Sequence, residues 1–179
     1  MNTKINTKRK RVKFASDNVT GACPEVLKAV IKANDGIVPP YGNDEISGVL
    51  QEKFSKIFEK DVIVYPTASG TASNALALSA ISPSFGNIYC HKFSHINVDE
   101  CGAPEFYTGG AKLVPLNGED GKITTEELKN SIGGFGIVHH TQPSIVSITQ
   151  ATETGEVYTL EQIKNISEIT HKHNLKMHM

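Results

Sequence analysis

Small hydroxyl residues join a strand-like run to a helix-like run over residues 62–78, VIVYPTASGTASNALAL. The first N–H groups of a helix lack intrahelical acceptors, and the helix dipole favours an anion at that end. Ser69 and Thr71 add hydroxyl donors, while Gly70 lets the backbone approach a ligand closely. The pattern is compatible with a phosphate-binding turn, but taken alone it favours an ordinary N-capped strand-to-helix turn. The Walker phosphate loop and the dinucleotide GxGxxG motif are both absent from the sequence.

Two histidines, His91 and His95, stand four residues apart in the segment HKFSHINVDE. On a helix they would face the same way and could share a metal ion. However, residues 94–97 have no strong helical pattern and no glutamate follows the first histidine, so we predict no metal site. The alternative is a histidine beside a planar cofactor, where the imidazole stacks or transfers a proton.

The other histidines and polar clusters have simpler interpretations. His139 and His140 are adjacent, and on a strand they would point to opposite faces, so only one could line a site. His171 and His173 come near the end of a predicted helix, where a cation suits the dipole. Caps and turns are predicted for three further segments: Asp17–Asn18, Tyr41–Asp44 and Glu153–Gly155.

Composition indicates an ordinary globular protein. The chain has 179 residues, of which 39% are hydrophobic and 21% charged, and no apolar run is long enough to span a membrane. The start is polar and basic, without the apolar segment of a secretory signal. Cys23, Cys90 and Cys101 form no CxxC pair, which favours free thiols in a reducing compartment, the cytoplasm.

The charge is distributed unevenly along the chain. Residues 1–13 hold six of the 18 basic side chains, and the remaining residues carry 12 basic against 19 acidic groups. A basic tail can contact nucleic acid or an anionic membrane surface, but one short run is a weak motif. We therefore predict a basic flexible tail over residues 1–13 that binds neither, followed by a globular body over residues 14–179.

Helical and strand-like patterns alternate through the body of the chain. This alternation predicts an α/β fold with a mostly parallel sheet and flanking helices. Helices are predicted from Pro24, from Asn43 or Asp44, after Thr71, at residues 124–127 and over Leu160–His173. Strands are predicted at Val62–Tyr65, Asn87–Cys90, Lys112–Leu116, Ile145–Thr149 and Leu175–His178.

Six segments in this order resemble the threonine aldolases, which belong to the aspartate-aminotransferase-like group of pyridoxal-phosphate enzymes. The segments are FASDNVTGACPEVLKA, PPYGNDEIS, SGTASNALAL, SHINVDECGAPEF, VSITQATETGEVY and HNLKMHM. The resemblance covers residues 14–179, essentially the whole globular body. It implies a pyridoxal-phosphate-transferase-like large domain and pyridoxal 5'-phosphate as the cofactor.

The resemblance also implies roles for individual residues. Ser69, Gly70 and Thr71 match the phosphate-binding turn, and His95 matches the histidine that stacks on the cofactor ring. The other matches are Ser16 near the substrate carboxylate with Asp17 beside it, Tyr41 and Gly42 in a loop that often comes from a neighbouring subunit, and His139, or alternatively His140, as a second active-site histidine.

The implied reaction is cleavage of a β-hydroxy amino acid, threonine or allo-threonine, to glycine and an aldehyde in a homodimer or homotetramer. In the family the last strand leads into an Asp-Gly-Ala-Arg motif and later the catalytic lysine. Both would lie beyond Met179, so we expect a truncated portion that is inactive alone. Two alternatives stay open: a related β-eliminating amino-acid lyase, and a non-catalytic subunit or binding module that pairs with a full-length partner.

Overall fold

The computed structural model describes residues 19–179 of the chain. The described residues divide into two compact units, residues 19–64 and residues 65–179. None of the helices in the described part is both long enough and apolar enough to cross a lipid bilayer.

The first unit contributes three helices, α1 (Pro24–Ala33), α2 (Glu45–Gly48) and α3 (Leu50–Phe58). Pro24 occupies the first turn of α1, where its missing N–H costs nothing. Asp44 caps α2, because its Oδ1 accepts the Ser47 N–H at 2.9 Å, and the Ser47 hydrogen bonds lower the pKa of the Asp44 carboxyl. The two helices predicted here are therefore confirmed, with a break at Val49 that the sequence did not predict.

The strand predicted at Val62–Tyr65 is wrong. Residues 61–67 have no regular secondary structure. The backbone N–H of Val62 donates to Ser55 Oγ at 3.2 Å, and that of Val64 donates to Gln51 Oε1 at 3.1 Å. Side chains of α3 thus take the hydrogen bonds that a neighbouring strand would take in a sheet.

The second unit contains a four-stranded sheet of β1 (Gly86–His91), β2 (Lys112–Leu116), β3 (Gln142–Ser147) and β4 (Lys176–His178). The strands pair in the order β2-β1-β3-β4, and every pair is parallel. The predicted parallel sheet is therefore confirmed, and β3 begins and ends earlier than its apolar run predicted. Pro115 lies within β2, opposite Cys90 of β1.

Five helices surround this sheet in the second unit. They are α4 (Gly70–Ile81), α5 (His95–Val98), α6 (Ala103–Tyr107), α7 (Thr125–Ser131) and α8 (Leu160–Lys172). Thr124 caps α7, and Thr159 forms a capping box with Gln162 at the start of α8. The helices predicted at residues 72–81, 124–127 and 160–173 are confirmed, whereas the four-residue helix α5 was not predicted.

The sheet is buried on both faces, as expected when helices cover a parallel sheet. Along β1, Ile88 and Cys90 belong to one apolar cluster, and Tyr89 between them belongs to the other. In β3, Ile145 and Val146 divide in the same way. Leu78 of α4 packs in the first cluster, whereas the second contains side chains of α7 and α8. The sheet therefore determines where the loops at the two ends of its strands begin.

Candidate functional site

The turn before α4 is held in shape by its own hydroxyl groups. Ser69 has an extended backbone, and its Oγ accepts the Ala72 N–H at 3.2 Å. Thr67 Oγ1 donates to the Ser69 carbonyl at 3.2 Å and also contacts the Ser73 hydroxyl. With Ala72 capped, the N–H groups of residues 70 and 71 remain directed out of the start of a twelve-residue helix. This arrangement favours an anion at the turn.

An open cavity of about 380 Å³ lies beside the first two turns of α4. Hydroxyl groups stand at the helix start, and apolar or aromatic groups line the rest. A Cβ built on Gly70 would meet no atom within 4 Å, so the turn itself is uncrowded. The lining residues are Ser69, Thr71, Ala72, Ala75, Leu76 and Tyr107.

The carboxyl end of β1 leads to the two histidines of the HKFSH segment. His91, the last residue of β1, is buried, with Nε2 3.1 Å from the Gly118 carbonyl and Nδ1 accepting the Phe93 N–H at 3.1 Å. Both ring nitrogens are therefore occupied, and His91 orders the loop at the end of the strand. His91 and His95 lie on different elements, which removes the shared helix face that a paired metal site would need.

His95 opens the short helix α5 directly after β1. Its Nδ1 lies 3.2 Å from Glu153 Oε1 and 4.0 Å from Asp99 Oδ2, and its side chain is 46% exposed. Glu153 lies in the turn predicted at residues 153–155, which the structure confirms. Sequence reasoning gave this turn only a structural role and missed that it brings a carboxylate to His95.

A partly buried hydrogen bond connects α4 with the segment that carries His95. Asn74 Nδ2 donates to Glu100 Oε1 at 2.7 Å, and Glu100 is 3% exposed. The second carboxylate oxygen, Oε2, is buried and has no hydrogen-bond partner among residues 19–179. Because Asn74 lies one turn into α4 and Glu100 lies two residues after the end of α5, the turn before α4 and His95 stand at the same edge of the sheet.

His139 and His140 lie at the opposite edge. They form a turn rather than a strand, beside a cavity of about 320 Å³ that also includes Asn87 and Lys112. Asn87 and Lys112 stand near the starts of β1 and β2, whereas His95 follows the end of β1. A six-residue strand is roughly 20 Å long, so one chain does not bring His139 and His95 together.

Comparison with known proteins identifies the family. The family model for β-eliminating lyases matches residues 13–179. The chain belongs to the β-eliminating lyase family. It is 40% identical to a low-specificity L-threonine aldolase from Pseudomonas sp. (strain NCIMB 10558) over 166 residues, covering 93% of this chain and 48% of that protein. The chain spans about half the length of the curated relatives it matches.

Solved structures show that this β-eliminating-lyase chain has a fold found in threonine aldolases and aminotransferases. A Leishmania major threonine aldolase superposes with a TM-score of 0.82 at 24% identity, covering 88% of this chain and 46% of that one. An archaeal alanine:glyoxylate aminotransferase superposes with a TM-score of 0.58 at 20% identity, covering 86% and 38%. These superpositions confirm the fold class expected from the sequence.

The remaining candidate residues come from the first part of the sequence. Tyr41 belongs to the first unit, where it is exposed and has a positive φ of 62°. Ser16 and Asp17 fall outside the described residues. Their roles near a substrate carboxylate therefore stay predictions.

The donor set at the start of α4 fits a phosphate group. Backbone N–H groups, the Thr71 hydroxyl and the positive end of the helix dipole all favour a dianion, and no carboxylate lines the adjoining cavity. An acidic lining would have opposed phosphate at this place. The residues of the β-eliminating-lyase chain are thus suited to a cofactor that carries a phosphate.

Proposed function

We propose that this chain supplies the cofactor-phosphate turn and the ring-side histidine of a pyridoxal-phosphate-dependent threonine aldolase. The reaction is cleavage of a β-hydroxy amino acid to glycine and an aldehyde. The observation that carries the proposal is the outward-directed pair of N–H groups at residues 70 and 71 of α4, joined through Asn74 and Glu100 to the segment that bears His95. The 40% identity to an L-threonine aldolase supports this choice within the family.

In this proposal Thr71 and the first N–H groups of α4 hold the phosphate through charge-assisted hydrogen bonds. Pyridoxal phosphate, when bound, supplies a ring that withdraws the electrons released as the Cα–Cβ bond breaks. His95 would lie beside that ring and would accept the proton of the substrate's β-hydroxyl, the usual task of an imidazole base. Ser69 shapes the turn, because its hydroxyl is committed to capping α4.

We propose further that the protein works as a homodimer or homotetramer. Support comes from the first unit, where large apolar side chains are exposed on α1 and α3. They include Val30, Ile31, Ile57 and Phe58, each at least 60% exposed. Apolar patches of this kind are typical of surfaces that are covered in an assembly. A cytoplasmic location is also proposed, supported by the free thiols Cys90 and Cys101.

Calorimetric titration with pyridoxal phosphate tests the binding site. We expect Thr71→Val to raise the Kd by roughly 10- to 100-fold, because a hydrogen bond to a charged group contributes about 1.5–3 kcal/mol. Ser79→Ala is the matched control, since Ser79 lies on the same helix and its hydroxyl bonds the Leu76 carbonyl at 3.0 Å. Inorganic phosphate should compete with the cofactor. Equal affinities of the two variants for pyridoxal phosphate would contradict the proposed phosphate-binding turn.

Product analysis of a form of the protein that includes the expected catalytic lysine tests the reaction class. With threonine and allo-threonine, aldol cleavage releases glycine and acetaldehyde. A β-eliminating lyase acting on serine would instead release pyruvate and ammonia. Detection of the second pair without the first would replace the aldolase by the β-eliminating alternative, while cofactor binding at the α4 turn would be unaffected.

A further inference from the structure

The Nδ1 side of His95 faces a carboxylate brought from a distant part of the chain. Glu153 Oε1 lies 3.2 Å from Nδ1, which is within hydrogen-bonding distance, whereas Asp99 on the histidine's own helix lies 4.0 Å away. The Nδ1 atom of an imidazole cannot both face a carboxylate at this distance and serve a substrate. The structure therefore leaves Nε2 as the nitrogen available for chemistry.

The turn that carries Glu153 is anchored on both sides of that residue. Thr152, which is buried, donates its hydroxyl to the Asp120 carbonyl at 2.9 Å, and Thr154 donates to the same carbonyl at 2.7 Å. The turn also packs tightly on Gly121, where a built Cβ would come within 2.9 Å of Thr152 Cβ. Glu153 is thus presented by a fixed backbone, although its own side chain is partly exposed.

We propose that Glu153 is a positioning residue. Its carboxylate accepts a hydrogen bond from Nδ1–H of His95 and so fixes the ring as the Nδ1–H tautomer. The lone pair on Nε2 is then permanently free to accept a proton from the substrate's β-hydroxyl. A partner of one ring nitrogen generally sets the tautomer and orientation of the other. The inference rests on the proposed function for the identity of the substrate, whereas the tautomer is a property of this chain alone.

A simple surface ion pair would make a different prediction. Exposed pairs contribute little to stability, and they impose no tautomer when the histidine is neutral. Stability measurements alone would therefore not separate the two roles. The tautomer state of His95 does separate them.

The experiment is long-range ¹H–¹⁵N correlation spectroscopy of the chain labelled with ¹⁵N-histidine, at a pH where the imidazole is neutral. His95 is assigned among the seven histidines by the signal lost in His95→Gln. We expect the Nδ1–H tautomer in the wild-type chain and a shift to the Nε2–H tautomer, which free histidine favours in water, in Glu153→Leu. Asp99→Asn is the matched control, and its tautomer should not change. A wild-type Nε2–H tautomer, or no shift in Glu153→Leu, would overturn the inference.

A kinetic measurement completes the test. In a form of the protein that includes the expected catalytic lysine, Glu153→Leu should lower kcat for aldol cleavage by roughly 10- to 100-fold, with a smaller effect on KM. The tautomer experiment needs neither cofactor nor substrate. A failed aldolase assay of the form that includes the lysine, with the tautomers as expected, therefore counts against the proposed function, while unexpected tautomers count against the role of Glu153.

Discussion

The hydrogen bond between Asn74 and the buried Glu100 carboxylate should be worth more than its single contact suggests. Asn74→Ala removes the donor to Oε1 and leaves both oxygens of Glu100 without a partner among the described residues. A hydrogen bond to a charged group contributes about 1.5–3 kcal/mol, and the better helix propensity of alanine returns about 0.5 kcal/mol. We therefore expect a loss of about 1–2.5 kcal/mol in the free energy of unfolding, or a fall in Tm of about 2–10 °C.

Urea unfolding followed by circular dichroism measures this loss, with Asn97→Ala as the control. Asn97 Nδ2 also donates a short hydrogen bond, 2.8 Å to the Lys92 carbonyl, but this acceptor is neutral and the bond is exposed. Its removal should cost no more than about 1 kcal/mol. Placing Asn74→Ala in a Glu100→Gln background should reduce its effect. Equal losses in Asn74→Ala and Asn97→Ala would refute the argument that burial and charge strengthen the Glu100 contact.

Two further predictions concern the edge of the sheet near the site. Burial lowers the pKa of His178 below its usual 6.5. The contribution of the neutral His178 to stability is therefore complete above pH 6.5 and is lost as the pH falls through the folded-state pKa. The urea midpoint should accordingly fall less between pH 7.5 and 5 in His178→Gln than in the wild type. If the fall in stability at low pH is the same in His178→Gln, groups other than His178 cause it. A Cβ at Gly118 would stand 1.8 Å from the Lys122 carbonyl oxygen, so Gly118→Ala should cost at least about 1–3 kcal/mol in thermal unfolding. Gly133→Ala, which meets no atom within 4 Å, should stay within about 0.5 kcal/mol of the wild type, and similar losses in both would disprove the steric argument.

Strands β1 and β3 were predictable because their apolar runs, Ile88–Cys90 and Ile145–Val146, are buried on both faces. Residues 112–116 form β2 with the predicted bounds, and β1 extends the predicted strand by one residue at each end. Residues 62–65 are also apolar, but no described strand pairs with them, so a local pattern could not distinguish them from a true strand. The helix at His95–Val98 is too short to show a periodicity.

The site was predictable only where one segment forms it. Ser69 caps α4 as the local rules require, because an N-cap depends on residues a few positions away. The contacts of His95 with Glu153 and of Asn74 with Glu100 join segments that are distant in the chain. Only the sheet topology determines that these segments meet, and no spacing in the sequence encodes it. The position of His139 at the far edge was missed for the same reason.

The proline in β2 limits the side on which another strand can pair with the sheet. The Leu116 carbonyl accepts the Lys92 N–H on the β1 side, and backbone polar groups alternate sides along a strand, so the Pro115 nitrogen faces outward. A strand added there would lose one ladder bond and leave a carbonyl unsatisfied, at a cost of about 1–3 kcal/mol. Within the described sheet, β2 therefore disfavours the addition of a strand beside it. A further strand, from this chain or from an aggregating copy, is expected to pair with β4 instead.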